Sequence, residues 1–139
     1  MRNRKPILVI EDDRIDAMHV RRAFGECNIA NSIIVLGDGE EALLYLHDGK
    51  REKPGIMIVD LNMPRMNGVE FLMEVRKDKG LMKIPVVILT TSGDMKDRKA
   101  CFNLGAAGYM TKPVARKDIY AMIQTLEEYG ASGDTCDEE

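Results

Sequence analysis

The sequence predicts a single α/β domain, a parallel sheet of five strands with helices on both faces. Three observations lead there. Five short strand-like runs, at residues 7–10, 33–36, 56–59, 86–89 and 107–110, alternate with five stretches that carry apolar residues at helical spacing. Such alternation produces a parallel sheet joined by right-handed crossovers. At 139 residues the chain is one domain's worth and long enough to bury a sizeable core.

The first strand, 7–10, runs straight into Glu11-Asp12-Asp13. Asp13, with Asp16 three residues on, reads as a helix N-cap, and Val20, Ala23, Phe24 and Cys27 then recur at helical spacing. After the second strand, 33–36, Asp38 and Glu41 read as a capping box. Ala42, Leu43 and Leu46 form the apolar stripe, and Gly49 is expected to end the helix. Residues 50–55, charged and carrying Pro54-Gly55, form a loop.

The run 56–59 is a strand buried on both faces, closed by Asp60. A carboxylate does not belong inside a strand core, so Asp60 is displayed where the strand leaves the sheet. Pro64 ends the extended pattern, and Asn67-Gly68 leads into a third helix with Gly68, Leu72 and Val75 on its inner face, stopping near Gly80. Ile84-Pro85 opens the fourth strand, 86–89, followed by the polar cluster Thr90-Thr91-Ser92-Gly93-Asp94. Helix four spans 95–105, and the fifth strand, 107–110, precedes Thr111-Lys112-Pro113. Ile119, Met122, Ile123 and Leu126 mark helix five. The domain is read as 1–129, with 130–139 an acidic, disordered tail.

Composition excludes several classes. A net charge of −3 without a basic run argues against a general nucleic-acid binder. No apolar run approaches the roughly 20 residues that span a membrane, and the first residues lack the pattern of a signal peptide. Cys27, Cys101 and Cys136 have no metal or redox spacing, so free thiols in a reducing cytoplasm are expected. His19 and His47 read as exposed helical residues, neither phosphodonor nor metal ligand.

Parallel order puts every strand-to-helix loop on one edge, the carboxyl edge where open α/β sheets bind ligands. Those loops carry Glu11 to Asp13, Gly37 and Asp38, Asp60 to Asn62, Thr90 to Ser92 and Thr111 to Pro113, so several acids, hydroxyls and one lysine converge from distant parts of the chain. Crowded carboxylates repel and raise each other's pKa unless a cation offsets them. Oxygen-only ligands suit a hard divalent ion such as Mg²⁺. A hydroxyl and an ammonium beside that ion would bind a phosphoryl group, with Asp60 the natural nucleophile. Asp13 is assigned to capping.

Five separated motifs, in order, carry a resemblance: Ile10-Glu11-Asp12, Asp60-Leu61-Asn62-Met63-Pro64 with Asn67-Gly68, Pro85 to Thr90, Gly105-Ala106-Ala107-Gly108-Tyr109, and Lys112-Pro113. Over residues 6–128 the chain resembles the CheY-like receiver domains of two-component response regulators. The resemblance implies a flavodoxin-like (βα)5 fold with strand order 2-1-3-4-5. It implies that Asp60 accepts a phosphoryl group from a sensor histidine kinase or phosphotransfer protein. Mg²⁺ or Mn²⁺ would be held by Asp12, Asp60 and the Asn62 backbone carbonyl, with Glu11 acting through water. Lys112 would pair with Asp60 and then with a phosphoryl oxygen, across a cis Lys112-Pro113 bond. Thr90 would bond the phosphoryl group and act with Tyr109 as the switch, while Asn62, Thr91 and Ser92 tune phosphoryl lifetime. Thr91 departs from the family's usual small residue, which would restrict access to the phosphoryl group.

Without an output domain in the sequence, the signal would leave by binding a downstream protein through helix four, strand five and helix five, or by homodimer formation. No nucleic acid or membrane is implied, the place of action is the cytoplasm, and the only chemistry is the domain's own phosphorylation and dephosphorylation. The Thr-Thr-Ser run resembles the single-domain regulators associated with bacterial phytochromes. A metal-dependent phosphatase with an aspartyl nucleophile is the alternative, but it would place that residue after the first strand with an acid two residues on, where this chain has Asn62 after Asp60. A flavodoxin-like binder would want a phosphate-cradling loop after strand one, and residues 11–13 are acidic instead. Lys112, on an edge loop, is expected to matter more to signalling than to stability.

Overall fold

The computed structural model describes residues 5–91 and 95–125. Strands and helices alternate through them: β1 (Ile7–Ile10), α1 (Arg14–Glu26), β2 (Ile33–Leu36), α2 (Gly39–His47), β3 (Ile56–Asp60), α3 (Gly68–Lys77), β4 (Val86–Thr90), α4 (Met95–Asn103), β5 (Gly108–Thr111) and α5 (Arg116–Thr125). All neighbouring strands are parallel, in the order β2-β1-β3-β4-β5. Leu126 and the tail expected at 130–139 lie outside the described residues.

Side chains alternate across a strand, and here both faces are apolar. Ile7, Val9, Ile56, Ile58, Val87 and Leu89 pack with Val20, Phe24, Ile119 and Ile123 of α1 and α5. Leu8, Ile10, Met57, Val59, Val86 and Ile88 pack with Leu46, Phe71, Leu72, Val75 and Cys101 of α2, α3 and α4. Tyr45 and Phe71 are core residues that the expected stripes omitted, whereas Leu43 is only partly buried.

The helix ends are set by side chains. Asp13 Oδ1 accepts from the N–H groups of Ile15 and Asp16, as expected of an N-cap. The expected capping box at α2 is half formed. Asp38 Oδ1 accepts from Glu41 N–H, but Glu41 Oε1 accepts from Gly37 N–H, one residue before the cap. A complete box stands at α3, where Asn67 and Glu70 each accept from the other's N–H.

Helix α2 ends at His47 with Gly49 directly after its Asp48 C-cap, and α3 ends at Lys77, near Gly80, with Asp78 as its C-cap. Asp48 accepts from Lys50 N–H at 2.9 Å and Asp78 from Gly80 N–H at 2.8 Å, turns that end each helix ahead of its glycine. Helix α4 ends at Asn103, two residues before Gly105, whose φ is 85°. Gly105 N–H donates to Phe102 and Ala106 N–H to Cys101, the paired bonds of a left-handed C-terminal cap. The fifth strand begins at Gly108, one residue later than expected.

Gly68 fixes the approach of α3 to the end of β3. Its N–H donates to Leu61 O at 2.9 Å, and a Cβ there would lie 2.9 Å from both Asp60 O and Leu61 Cα. Gly68→Ala is expected to lower stability by about 1–3 kcal/mol, measured as the denaturant midpoint. Gly25→Ala is the control, since a Cβ at Gly25 meets nothing within 4 Å, and it should be neutral or stabilising.

Candidate functional site

The two-residue period of the strands decides which loop groups meet. Glu11 continues the face of Ile7 and Val9, Asp60 that of Ile56 and Ile58, and Lys112 that of Met110, all on the α1 and α5 side. Register sets their height, because Ile10 pairs with Val59 and Asp60 with Leu89. The Lys112 stem is placed by its own N–H, which donates to Thr90 O at 2.8 Å.

The result is one buried ammonium among carboxylates. Lys112 Nζ lies 2.9 Å from Glu11 Oε1, 3.3 Å from Asp60 Oδ1 and 2.8 Å from Asp16 Oδ2. Glu11 and Asp60 are almost wholly buried, whereas Asp12 is exposed. Oxygens of Glu11, Asp12 and Asp60 all lie within 4.8 Å of one another. Asp16 is the group that sequence reasoning missed. It was grouped with the cap, yet it makes the shortest of the three contacts to Lys112.

On the other side of Asp60, Asn62 N–H donates to Asp60 Oδ1 at 3.2 Å, and the Asn62 amide reaches Thr90 Oγ1 at 3.4 Å. Thr90 is fully buried at the end of β4, and Thr91 beside it is exposed. Ser92 lies outside the described residues. Tyr109 is half-buried on β5, its ring centroid 6.4 Å from that of Phe102 on α4. The Arg98 guanidinium covers both rings, at 5.6 and 5.9 Å. These residues border a groove of about 260 Å³ that Asp118 and Met122 of α5 also line. The Lys112-Pro113 bond is cis, as the resemblance implied.

Burial is the main cause of the electrostatics at Glu11. Desolvation pushes its carboxyl up from 4.5 to about 7, the charge of Asp60 adds to the rise, and Lys112 and the Asp13 N–H oppose it. Burial alone would lower the Lys112 ammonium, but its contacts with Asp16, Glu11 and Asp60 outweigh that and hold it above its usual value. Glu11 Oε1 is a buried oxygen within ion-pair distance of Lys112 but without an aligned hydrogen bond. An oxygen-only donor set with such an acceptor, opened to solvent through Asp12, fits a hard divalent cation.

A pH dependence follows for the metal-free protein. Because the folded-state pKa of Glu11 is raised, the folded state binds more protons than the unfolded state between pH 4.5 and about 7. The contribution is fully present below 4.5 and is lost as pH rises through about 7. The wild-type melting temperature, relative to that of Glu11→Gln, should therefore fall between pH 5 and pH 8, and saturating Mg²⁺ should remove most of the fall. Thermal melts of both proteins at the two pH values, with and without Mg²⁺, check this.

Comparison with known proteins agrees with this geometry. A family model described as "Response regulator receiver domain" matches residues 7–124. The chain is 35% identical over 129 residues to response regulator Rcp1 of Synechocystis sp., covering 90% of this chain and 88% of Rcp1. The bacteriophytochrome response regulator RtBRR matches with a TM-score of 0.79 at 37% identity, over 88% of this chain and 77% of that one. The Mn²⁺-bound form of Rcp1 matches at 0.74 and 33% identity, over 91% and 94% of the two chains. The phosphorylated cyanobacterial phytochrome response regulator RcpA matches at 0.77 and 28% identity, over 94% and 96%.

Proposed function

The chain belongs to the response regulator receiver domains, and from that premise we propose that Asp60 is the phosphoacceptor of a phosphorelay. The observation that carries the reading is the buried Asp60 carboxylate beside Glu11 and Asp12, with Lys112 and Asn62 N–H both at its Oδ1. One Asp60 oxygen attacks the phosphorus of a phosphohistidine on a sensor histidine kinase or phosphotransfer protein. The O–P bond forms, the N–P bond breaks, and the imidazole leaves with its electron pair and takes up a proton. A Mg²⁺ or Mn²⁺ ion held by Asp12, Asp60, the Asn62 carbonyl and, through water, Glu11 would offset the charge of the transferring group.

The chain's own groups do the rest. Lys112 supplies a positive charge to a phosphoryl oxygen, and Thr90 donates to another. Asn62, Thr91 and Ser92 set how readily water reaches the product. The protein is a signalling component and not an enzyme, its chemistry confined to its own phosphorylation and dephosphorylation. Residues 1–129 form the receiver domain, and 130–139 an acidic tail. It works in the cytoplasm, where kinases draw on ATP, without nucleic acid or membrane.

A phosphoryl group adds roughly −1.5 to −2 charges. Drawing Thr90 toward that charge vacates space beside β5, which Tyr109 fills by leaving Phe102 and Arg98. That rearrangement alters the α4-β5-α5 face and with it the affinity for a downstream protein or a second copy. Amide exchange with Mg²⁺ and beryllofluoride tests the reading. Protection should rise at residues 11–13 and 60–67 and change across 95–120. An effect confined to the first two segments would contradict the proposed output face.

A further inference from the structure

We propose that Asp16 is a positioning residue, which draws the Lys112 ammonium aside so that a divalent cation can take the Glu11 and Asp60 oxygens. The inference rests on the metal reading of Glu11, Asp12 and Asp60 given above.

Lys112 occupies oxygens that the cation needs. Its Nζ is 2.9 Å from Glu11 Oε1 and 3.3 Å from Asp60 Oδ1, so ammonium and cation compete for the same acceptors. Two positive charges crowded onto shared oxygens repel. Asp16 is the third partner, at 2.8 Å, and it stands apart from the cluster of Glu11, Asp12 and Asp60. It offers the ammonium an anion that the metal does not claim.

Both parts of this contact are anchored. Asp16 sits in the first turn of α1, and its N–H is bonded to the Asp13 cap at 3.1 Å. The Lys112 backbone is tied to Thr90 O. The ammonium can therefore swing on a fixed stem toward an acceptor fixed on α1. Its buried charge stays paired when the metal enters, avoiding the cost of an isolated buried ion. From Asp16 it remains within reach of a phosphoryl oxygen on Asp60. Without Asp16, Lys112 would settle on Glu11 and Asp60 and have to be displaced.

The test is a double-mutant cycle on Mg²⁺ affinity, measured by titration calorimetry on the full chain, with circular dichroism to confirm folding. Asp16→Asn should weaken Mg²⁺ binding by about threefold to tenfold. Asp16→Glu, which keeps the anion, should restore much of it. Lys112→Met should tighten binding by removing the competitor. In the Lys112→Met background Asp16→Asn should then change affinity by about twofold or less, its direct charge effect alone. An equal loss in both backgrounds would overturn the proposal, because Asp16 would then act only as a nearby charge. So would an unchanged affinity for Asp16→Asn alone. Failure of the wild type to bind Mg²⁺ at all would overturn the metal reading itself, and this inference with it.

Discussion

Asp60→Asn should fold as the wild type does and take up no phosphoryl group from acetyl phosphate. Asp60 is a buried carboxylate with Lys112 at 3.3 Å and Asn62 N–H at 3.2 Å from the same oxygen, whereas Glu11, also buried, meets Lys112 and the Asp13 N–H on different oxygens. The amide keeps the size and accepts the same hydrogen bonds, but it lacks a nucleophilic oxygen anion. It also removes one of three crowded acids, so the metal-free variant should melt at or above the wild-type temperature while its response to Mg²⁺ shrinks. Intact mass after acetyl phosphate treatment and a melt with and without Mg²⁺ make the comparison. Undiminished labelling of the variant would remove Asp60 from the phosphoacceptor role.

Lys112→Met should cost the metal-free protein on the order of 3 kcal/mol of stability, the loss typical of breaking a buried ion pair from one side. The sequence-based expectation is that Lys112, on an edge loop, matters more to signalling than to stability, and this variant sets a size for the stability part. The loop is at the edge of the sheet, but the side chain is only 10% exposed and faces Glu11 and Asp60, both nearly inaccessible. Deleting the ammonium leaves two buried carboxylates facing each other. A divalent cation can take over that task, so Mg²⁺ should raise the melting temperature of Lys112→Met more than that of the wild type. Beryllofluoride should nonetheless fail to shift amide exchange across 95–120, because the charge that links the phosphoryl group to β5 is gone. Equal melting of wild type and variant without metal would show that the three contacts of Lys112 carry little energy.

What the sequence made legible was set by local periodicity. Glu11, Asp60 and Lys112 each follow an apolar strand at a position whose parity can be counted, so their convergence could be read before any coordinates. Thr90 is legible for the same reason, at the end of the run 86–89. Asp16 was not, because its partner Lys112 lies 96 residues away and its spacing from Asp13 is equally that of a capped helix. Nor was Arg76 of α3. It reaches across to Leu104 O and Gly105 O at 2.9 Å and so joins α3 to the end of α4. Arg76 is half-buried, and an arginine within a helical pattern carries no local sign of such a role. Helix ends were legible from their glycines, with α2 ending at His47 just ahead of Gly49 and α3 at Lys77 near Gly80; the turns at Asp48 and Asp78, whose carboxylates accept from the N–H two residues on, carry no such sign.

The central claim is that this acidic edge performs one metal-dependent phosphoryl acceptance. Intact mass of the wild-type chain after incubation with acetyl phosphate, with Mg²⁺ and with chelator, tests it most directly. The account predicts a single added phosphoryl group that appears only with the metal and maps to the peptide carrying Asp60. No added group with Mg²⁺, or an added group on any other residue, would contradict it.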